Sequence, residues 1–233
     1  MASANLNALA VTLVFAVAGY FLRGVSRSGA VAGCVVAYAI YAYAGPGAFV
    51  MLVALFVLTF LATRLGRRRK LALGTAERSE GRSASQVLAN VGVASLFAIG
   101  YGHFRQPYLL AGCTAALAEA AADTVSSECG QVFGAPTRLL TTGARVPVGT
   151  NGGISLAGTL CGTLAATGMA LAAALVGLVD GRGGWAVAAA AVSGMFVDSL
   201  LGAVLESPGW LNNDAVNLLG TLSAALLGCW WTR

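Results

Sequence analysis

Residues 46–63 read Pro-Gly-Ala-Phe-Val-Met-Leu-Val-Ala-Leu-Phe-Val-Leu-Thr-Phe-Leu-Ala-Thr, with no charged side chain. The next seven are Arg64-Leu65-Gly66-Arg67-Arg68-Arg69-Lys70. As a helix, the apolar run spans about 27 Å at 1.5 Å per residue, close to the hydrocarbon thickness of a bilayer. The basic cluster behind it is the mark of a loop that stays on the cytoplasmic side.

The rest of the chain repeats this pattern. Of its 233 residues, 58% are hydrophobic and 10% charged, whereas soluble domains carry about 25% charged residues. Fourteen basic and nine acidic side chains are too few to cover a soluble globule of this size. Seven spans of about 20 residues would use about 140 residues and leave about 90 for loops. Further apolar runs cover 5–22, 28–44, 83–101, 107–123, 154–179, 184–205 and 214–231. The expected fold is all-α, a polytopic membrane helix bundle of about seven to eight transmembrane helices. It forms one integral-membrane domain over 1–233, with N-terminal helices in 1–63, a basic cytoplasmic loop in 64–82 and a motif-bearing core in 83–233.

Other classes drop out. A membrane β-barrel needs short alternating segments, and these runs are continuous. Cys34, Cys113, Cys129, Cys161 and Cys229 are odd in number and form no Cys-x-x-Cys pair, so they read as small packing residues rather than a disulfide framework. The first run has no basic segment before it and reads as a retained helix. The net charge of +5 reflects topology, not nucleic acid. The 64–82 connection holds seven of the fourteen basic residues, and Arg23, Arg27, Arg138 and Arg145 fall on the same expected side. Arg105, Arg182 and Arg233 fall on the other. The 31 glycines, including Gly158, Gly162 and Gly220, suit close helix packing in lipid.

Polar residues in or beside spans carry the functional signal, and four groups are expected at the cytoplasmic end. Arg82, Gln86 and Asn90 recur every fourth residue and share one helix face; interhelical hydrogen bonding would also explain Gln86 and Asn90. Glu119 and Asp123 lie one turn apart, where like charges repel and burial adds a desolvation cost. A divalent cation, a shared proton or a nearby arginine would relieve both. Ser126, Ser127 and Glu128 follow. Gly149-Thr150-Asn151-Gly152-Gly153-x-Ser155 leads into a helix and can present backbone N–H groups to an anion, or can be an ordinary turn; it lacks the Gly-Lys-Ser/Thr of a Walker A loop. Asp198, Gly202 and Glu206 follow at i, i+4 and i+8, with Asp198 about 10 Å inside the helix end. Asn213-Asp214-x-x-Asn217 opens the last span, and Asn213 or Asp214 would serve as its N-cap. Carboxylates able to hold Mg²⁺, beside arginines and amides able to hold phosphates, form the inventory of phosphoryl transfer.

Five strings carry a family resemblance: Gly81-Arg82-Ser83-x-x-Gln86-Val87-x-x-Asn90, Ala122-Asp123-Thr124-x-Ser126-Ser127-Glu128-x-Gly130, Val146-Pro147-x-Gly149-Thr150-Asn151-Gly152-Gly153-x-Ser155, Asp198-Ser199-x-x-Gly202-Ala203 and Asn213-Asp214-x-x-Asn217. In content and order they resemble the integral-membrane family long catalogued as a domain of unknown function, which includes plant and cyanobacterial phytyl-phosphate kinase and human transmembrane protein nineteen. The resemblance implies a membrane kinase of isoprenoid metabolism. Such an enzyme transfers the γ-phosphate of a nucleoside triphosphate, with CTP the expected donor, to a prenyl monophosphate such as phytyl or geranylgeranyl phosphate. This chain carries Glu206 where an amide is expected in many members.

On that reading Asp123 and Glu128, with Asp198 or Asp214, are the expected Mg²⁺ ligands. Arg82, Arg145 and the Gly149–Gly153 amides neutralise the transferred group. Asn213 and Asn217 orient phosphate or base, and Gln86, Asn90, Ser126, Ser127 and Ser155 complete the nucleotide site. The expected partners are the prenyl monophosphate, the nucleotide and the bilayer, with no nucleic acid; a homodimer is compatible with the sequence. The competing reading is a transporter or channel for a cation or small solute, using Glu119, Asp123 and Asp198 as its path.

Overall fold

The computed structural model describes residues 2–76, 80–134 and 136–233; Arg78, one of the seven basic residues in the 64–82 connection, lies outside the described residues. The helices are α1 (Ala2–Phe21), α2 (Arg27–Arg64), α3 (Arg67–Leu73), α4 (Ala84–Phe104), α5 (Pro107–Phe133), α6 (Leu156–Leu175), α7 (Gly181–Leu201) and α8 (Asn213–Trp231). The chain is an all-α membrane helix bundle. Among the described residues, Arg27–Arg64, Ala84–Phe104, Leu156–Leu175 and Gly181–Glu206 are long and apolar enough to cross a bilayer on length and composition alone.

The opening run is the second half of α2. A straight helix of its 38 residues would be about 57 Å long. Gly45 instead takes φ +85° and ψ 179° inside it, and Pro46 follows as a first helical residue with its φ already set. The chain therefore reverses between the halves 27–44 and 46–64. The ends meet: Arg64 Nη2 donates to the Leu22 carbonyl at 2.7 Å, just before α2 begins. Phe15 of α1 packs edge-on against Phe49 and Phe56, each at 5.4 Å between ring centroids, and Tyr41 reaches Phe49 across the reversal at 5.4 Å.

α5 is the axis of the bundle and packs against α2, α4, α6, α7 and α8. Residues 111–122, Ala-Gly-Cys-Thr-Ala-Ala-Leu-Ala-Glu-Ala-Ala-Ala, are all buried. Small side chains on every face let helices close in from all sides. The approach to α6 is closest at its glycines: a Cβ at Gly158 would lie 2.7 Å from the Ser126 carbonyl, and one at Gly162 would lie 2.8 Å from the Ala122 carbonyl.

Between α5 and α6 the chain forms three short antiparallel strands, β1 (Thr137–Leu139), β2 (Arg145–Val146) and β3 (Gly153–Ile154), in the order β2-β1-β3. Thr137 pairs with Val146 and Leu139 with Gly153. The expected sixth span at 154–179 therefore begins later: Ile154 is in a strand, and Ser155 caps α6 by accepting from Gly158 N at 3.1 Å. The end of α1, the α2 termini, α3, the start of α4, this sheet and the end of α7 gather at one end of the bundle. Val25 bridges to Arg82, Lys70 pairs with Glu128 and Gly152 abuts Ala203. Most of the basic residues lie at this end.

Candidate functional site

α5 places the central polar string. The sequence suggested a span ending near Asp123, but α5 continues to Phe133, about 15 Å further. Asp123, Thr124, Ser126, Ser127 and Glu128 therefore lie inside a continuous helix, and none of them caps it. With Gly130 and Gln131 they line one side of a cavity of about 280 Å³.

The other walls come from the remaining strings. Arg82, Gln86 and Asn90 descend from the start of α4, residues 148–155 form the rim, Asp198, Ser199, Gly202 and Glu206 face in from the end of α7, and Asn213 and Asn217 face in from α8. Four groups spread over more than half the chain thus share one chamber.

Local chemistry explains each placement. Ser83 and Gln86 form a reciprocal cap on α4: Ser83 N donates to Gln86 Oε1 at 2.8 Å, and Gln86 N donates to Ser83 Oγ at 3.4 Å. Asn90 Nδ2 donates to the Gln86 carbonyl at 2.9 Å. Arg82 is held by its backbone, donating to the Gly24 carbonyl at 3.1 Å and accepting from Ser26 N at 2.9 Å. Its Nη2 donates to Thr124 Oγ1 at 3.3 Å, tying α4 to α5.

Gly152 has φ +72°, and a Cβ there would fall 2.5 Å from Ala203 N. The loop backbone thus lies directly on the turn after α7. That turn, Gly202–Glu206, is a π-helix, a local widening that recurs at functional sites; here it carries Glu206 to the cavity wall.

Charge is concentrated and incompletely compensated. Asp123 interacts with Arg82 and Glu206, and Asp198 interacts with Asp123 and Glu206. Glu119 lies one turn deeper and interacts with both aspartates. Gly220 of α8 makes room for them: a Cβ there would be 2.7 Å from Glu119 Oε1 and 3.2 Å from Asp198 Oδ2. Glu119 Oε1, Asp198 Oδ2 and Gln131 Oε1 are buried without a hydrogen-bond partner. Buried carboxylate oxygens left unmatched are costly, and a site that meets a cation or a donor-bearing ligand would satisfy them.

Several expected participants stand elsewhere. Arg145 is exposed on β2 opposite Arg138 and does not line the cavity, because the strand pairing turns both arginines onto the sheet surface. Asp214 does not line it either; it sits in the first turn of α8. The cap of α8 is Asn212, which accepts from Ala215 N at 2.9 Å, so neither Asn213 nor Asp214 fills that role. Glu128 reaches the wall, but its Oε2 takes an ion pair from Lys70 Nζ at 2.6 Å. Lys70, read from the sequence only as one charge in a basic loop, is 1% exposed and also donates to the Ala62 and Thr63 carbonyls at 3.0 and 2.6 Å.

Thr75 and Gln131 also line the cavity, outside the strings that the sequence marks. Gln131 was findable, since it follows Asp123 by eight residues and Ser127 by four on one helix face. Among the described residues no three Asp, Glu, His or Cys side chains converge as a metal site on their own.

Residues 10–225 match the family model described as "Integral membrane protein DUF92". The chain is 33% identical over 206 residues to the uncharacterized membrane protein MJ0933 of Methanocaldococcus jannaschii, covering 88% of this chain and 85% of that one. It is 31% identical over 237 residues to Protein VTE6, chloroplastic, of Arabidopsis thaliana, covering 95% and 71%. It is 32% identical over 193 residues to the uncharacterized membrane protein sll0875 of Synechocystis, covering 81% and 75%. No solved structure matches the chain.

Proposed function

The chain belongs to the DUF92 family of integral membrane proteins, and from that premise we propose that it is a membrane kinase that phosphorylates a prenyl monophosphate. The observation that carries this reading is the single chamber in which Asp123, Asp198 and Glu206 face Arg82 and the glycine-loop backbone. Relatedness to VTE6, with the phytyl-phosphate kinase activity that the sequence resemblance implies for the family, supports a phytyl or geranylgeranyl acceptor and CTP as donor. We assign the basic end of the bundle, and the cavity with it, to the cytoplasmic face.

The residues present suit Mg²⁺. The donor set is all oxygen, and Asp198 Oδ2 is buried without a partner. Mg²⁺ is commonly held by one or two carboxylates plus substrate phosphates, a demand Asp123 and Asp198 meet. When bound, the ion neutralises phosphate charge. Arg82, fixed through its backbone, faces the transferred group. The N–H groups of Gly149, Asn151 and Gly152 would meet phosphate oxygens, since those of Thr150 and Gly153 already donate to the Pro147 and Thr150 carbonyls, and Asn213 and Asn217 would donate from α8. The acceptor phosphate oxygen forms the new P–O bond as the bond from the γ-phosphorus to the β–γ bridging oxygen breaks, releasing the nucleoside diphosphate. A monophosphate is already anionic at neutral pH, so no strong general base is required.

The test is transfer of label from γ-labelled CTP, ATP or GTP to a panel of prenyl alcohols and monophosphates by purified, folded protein. Formation of a prenyl diphosphate supports the reading; no transfer to any acceptor overturns it. The transport reading has one observation in its favour, the buried Glu119 beyond the cavity. Ion or solute flux in proteoliposomes would replace the kinase with it.

A further inference from the structure

The polar chamber has an apolar neighbour. A second cavity, of about 490 Å³, lies between α1, both halves of α2 and α4, within the range of pockets that enclose a small-molecule ligand, about 300–1,000 Å³. Phe15, Val36, Leu52, Leu55 and Phe56 form its walls. Its lining on the second half of α2 runs from Leu52 to Arg64, about 18 Å along the helix.

The two ends differ in chemistry. Arg23, Arg64 and Arg67 stand at the loop end. The Arg64 guanidinium lies 4.0 Å from the Phe60 ring centroid, which fixes a positive charge against the aromatic wall. Arg82, Gln86 and Asn90 line this cavity and the polar chamber alike, so the first two turns of α4 form a shared wall. A ligand with an anionic head and one hydrocarbon tail matches that layout: charge beside the arginines and the polar chamber, tail between the helices.

Gly33 is the open position in this lining. A Cβ at Gly24 would press on the Phe56 ring at 2.7 Å, and one at Gly81 would meet backbone at 2.6 Å, whereas one at Gly33 meets nothing within 4 Å. A side chain begun at Gly33 therefore starts in open space.

We propose that this apolar cavity holds the hydrocarbon tail of the acceptor, and that the absence of a side chain at Gly33 sets the bulk and length of tail it admits. The inference rests on the polar chamber being the phosphoryl-transfer site. The first part follows from two cavities of opposite character meeting at Arg82, Gln86 and Asn90, and the second from the open space at Gly33 in the apolar lining. Gly33 acts on specificity through space alone and takes no part in the chemistry.

The experiment uses full-length protein in detergent or nanodiscs and a geranylgeranyl monophosphate bearing a diazirine near the tail end. Photolysis followed by peptide mapping should place the label on Val36 and the Leu52–Phe56 segment. Gly33→Phe should cut that labelling and raise KM for the geranylgeranyl acceptor by about tenfold or more, the scale at which an apolar pocket discriminates fit. KM for geranyl monophosphate should stay within about twofold. Gly33→Leu gives a smaller intrusion should the phenylalanine variant fold poorly. Leu52→Ala, which enlarges the cavity from the other half of α2, should favour longer tails.

Labelling confined to α6 or α7 overturns the proposal, as does labelling and tail preference unchanged in both Gly33 variants. Displacement of the probe by phosphatidylglycerol as readily as by unlabelled prenyl phosphate also overturns it, since the cavity would then be a general lipid seat. Labelling needs no turnover. Protein that labels in this cavity but transfers no phosphate retires the kinase reading and leaves the tail site standing; protein that transfers phosphate but labels elsewhere does the reverse.

Discussion

Lys70 Nζ lies 2.6 Å from Glu128 Oε2 across 58 residues of sequence, and both residues are buried. The same ammonium donates to two carbonyls at the end of α2, so one lysine clamps α2, α3 and α5 together beneath the cavity. Removing one partner leaves the other as an uncompensated buried charge. Lys70→Met or Glu128→Leu alone should destabilise the protein by about 3–5 kcal/mol, with the double variant recovering much of the loss. Thermal unfolding in detergent of the four proteins in the cycle checks this; additive losses would show that the two residues do not act as a pair.

Asp123 and Asp198 face the cavity amid other carboxylates, so any charge they carry there costs stability. Asp123→Asn and Asp198→Asn should each lower turnover by about a hundredfold or more, about 3 kcal/mol of lost charge stabilisation, while leaving thermal stability equal or higher. The Mg²⁺ concentration needed for half-maximal rate should rise in both. Full activity in either variant would remove that residue from the site.

Gly152 combines a positive φ with close approach to Ala203, so alanine there must displace the loop. Gly152→Ala should abolish activity. Gly143 also has a positive φ, +68°, but a Cβ there meets nothing within 4 Å. Gly143→Ala should cost only backbone strain of about 1–2 kcal/mol and keep turnover. Activity and stability measured on both separate loop position from general strain.

Arg82 and Arg145 looked alike as candidate phosphate ligands, and the fold separates them. Arg82→Ala should lower kcat/KM by about a hundredfold or more, the usual scale for losing a preorganised donor. Arg145→Ala, on an exposed strand, should change it by less than about twofold. The reverse order would mean that the sheet folds over the cavity when substrate binds.

The apolar runs made the membrane bundle legible, because hydrocarbon imposes one length and one composition on every span. What they hid followed from the same physics. The polar face of α5 from Asp123 to Gln131 looked like the end of a helix, since polar residues beyond an apolar run are as typical of a loop as of a helix that lines a cavity. Residues 28–63 read as two runs interrupted at Gly45-Pro46, and the chain does break there, with Gly45 outside helical geometry. The strands are two or three residues long, too short for any periodicity to reveal. Lys70 resembled its neighbours Arg67, Arg68 and Arg69, because its burial depends on Glu128, far away in sequence. The charge topology and the strings at 82–90, 123–130, 149–155, 198–206 and 213–217 already point to one pocket at one end of the bundle; the fold brings these strings to one chamber but leaves Arg145 and Asp214 out of its lining.

The uninterrupted course of α5 imposes a final constraint. Backbone hydrogen bonding fixes the spacing of Asp123, Thr124, Ser127 and Gln131 as on the teeth of a rack, whatever the chamber contains. One residue inserted anywhere between Glu119 and Asp123 would turn everything beyond it by about 100° and carry that row out of register with α4, α7 and α8. The turn at 140–143 could take the same insertion without moving the site. α5 is thus the fixed ruler against which the glycine rim and the π-turn are set.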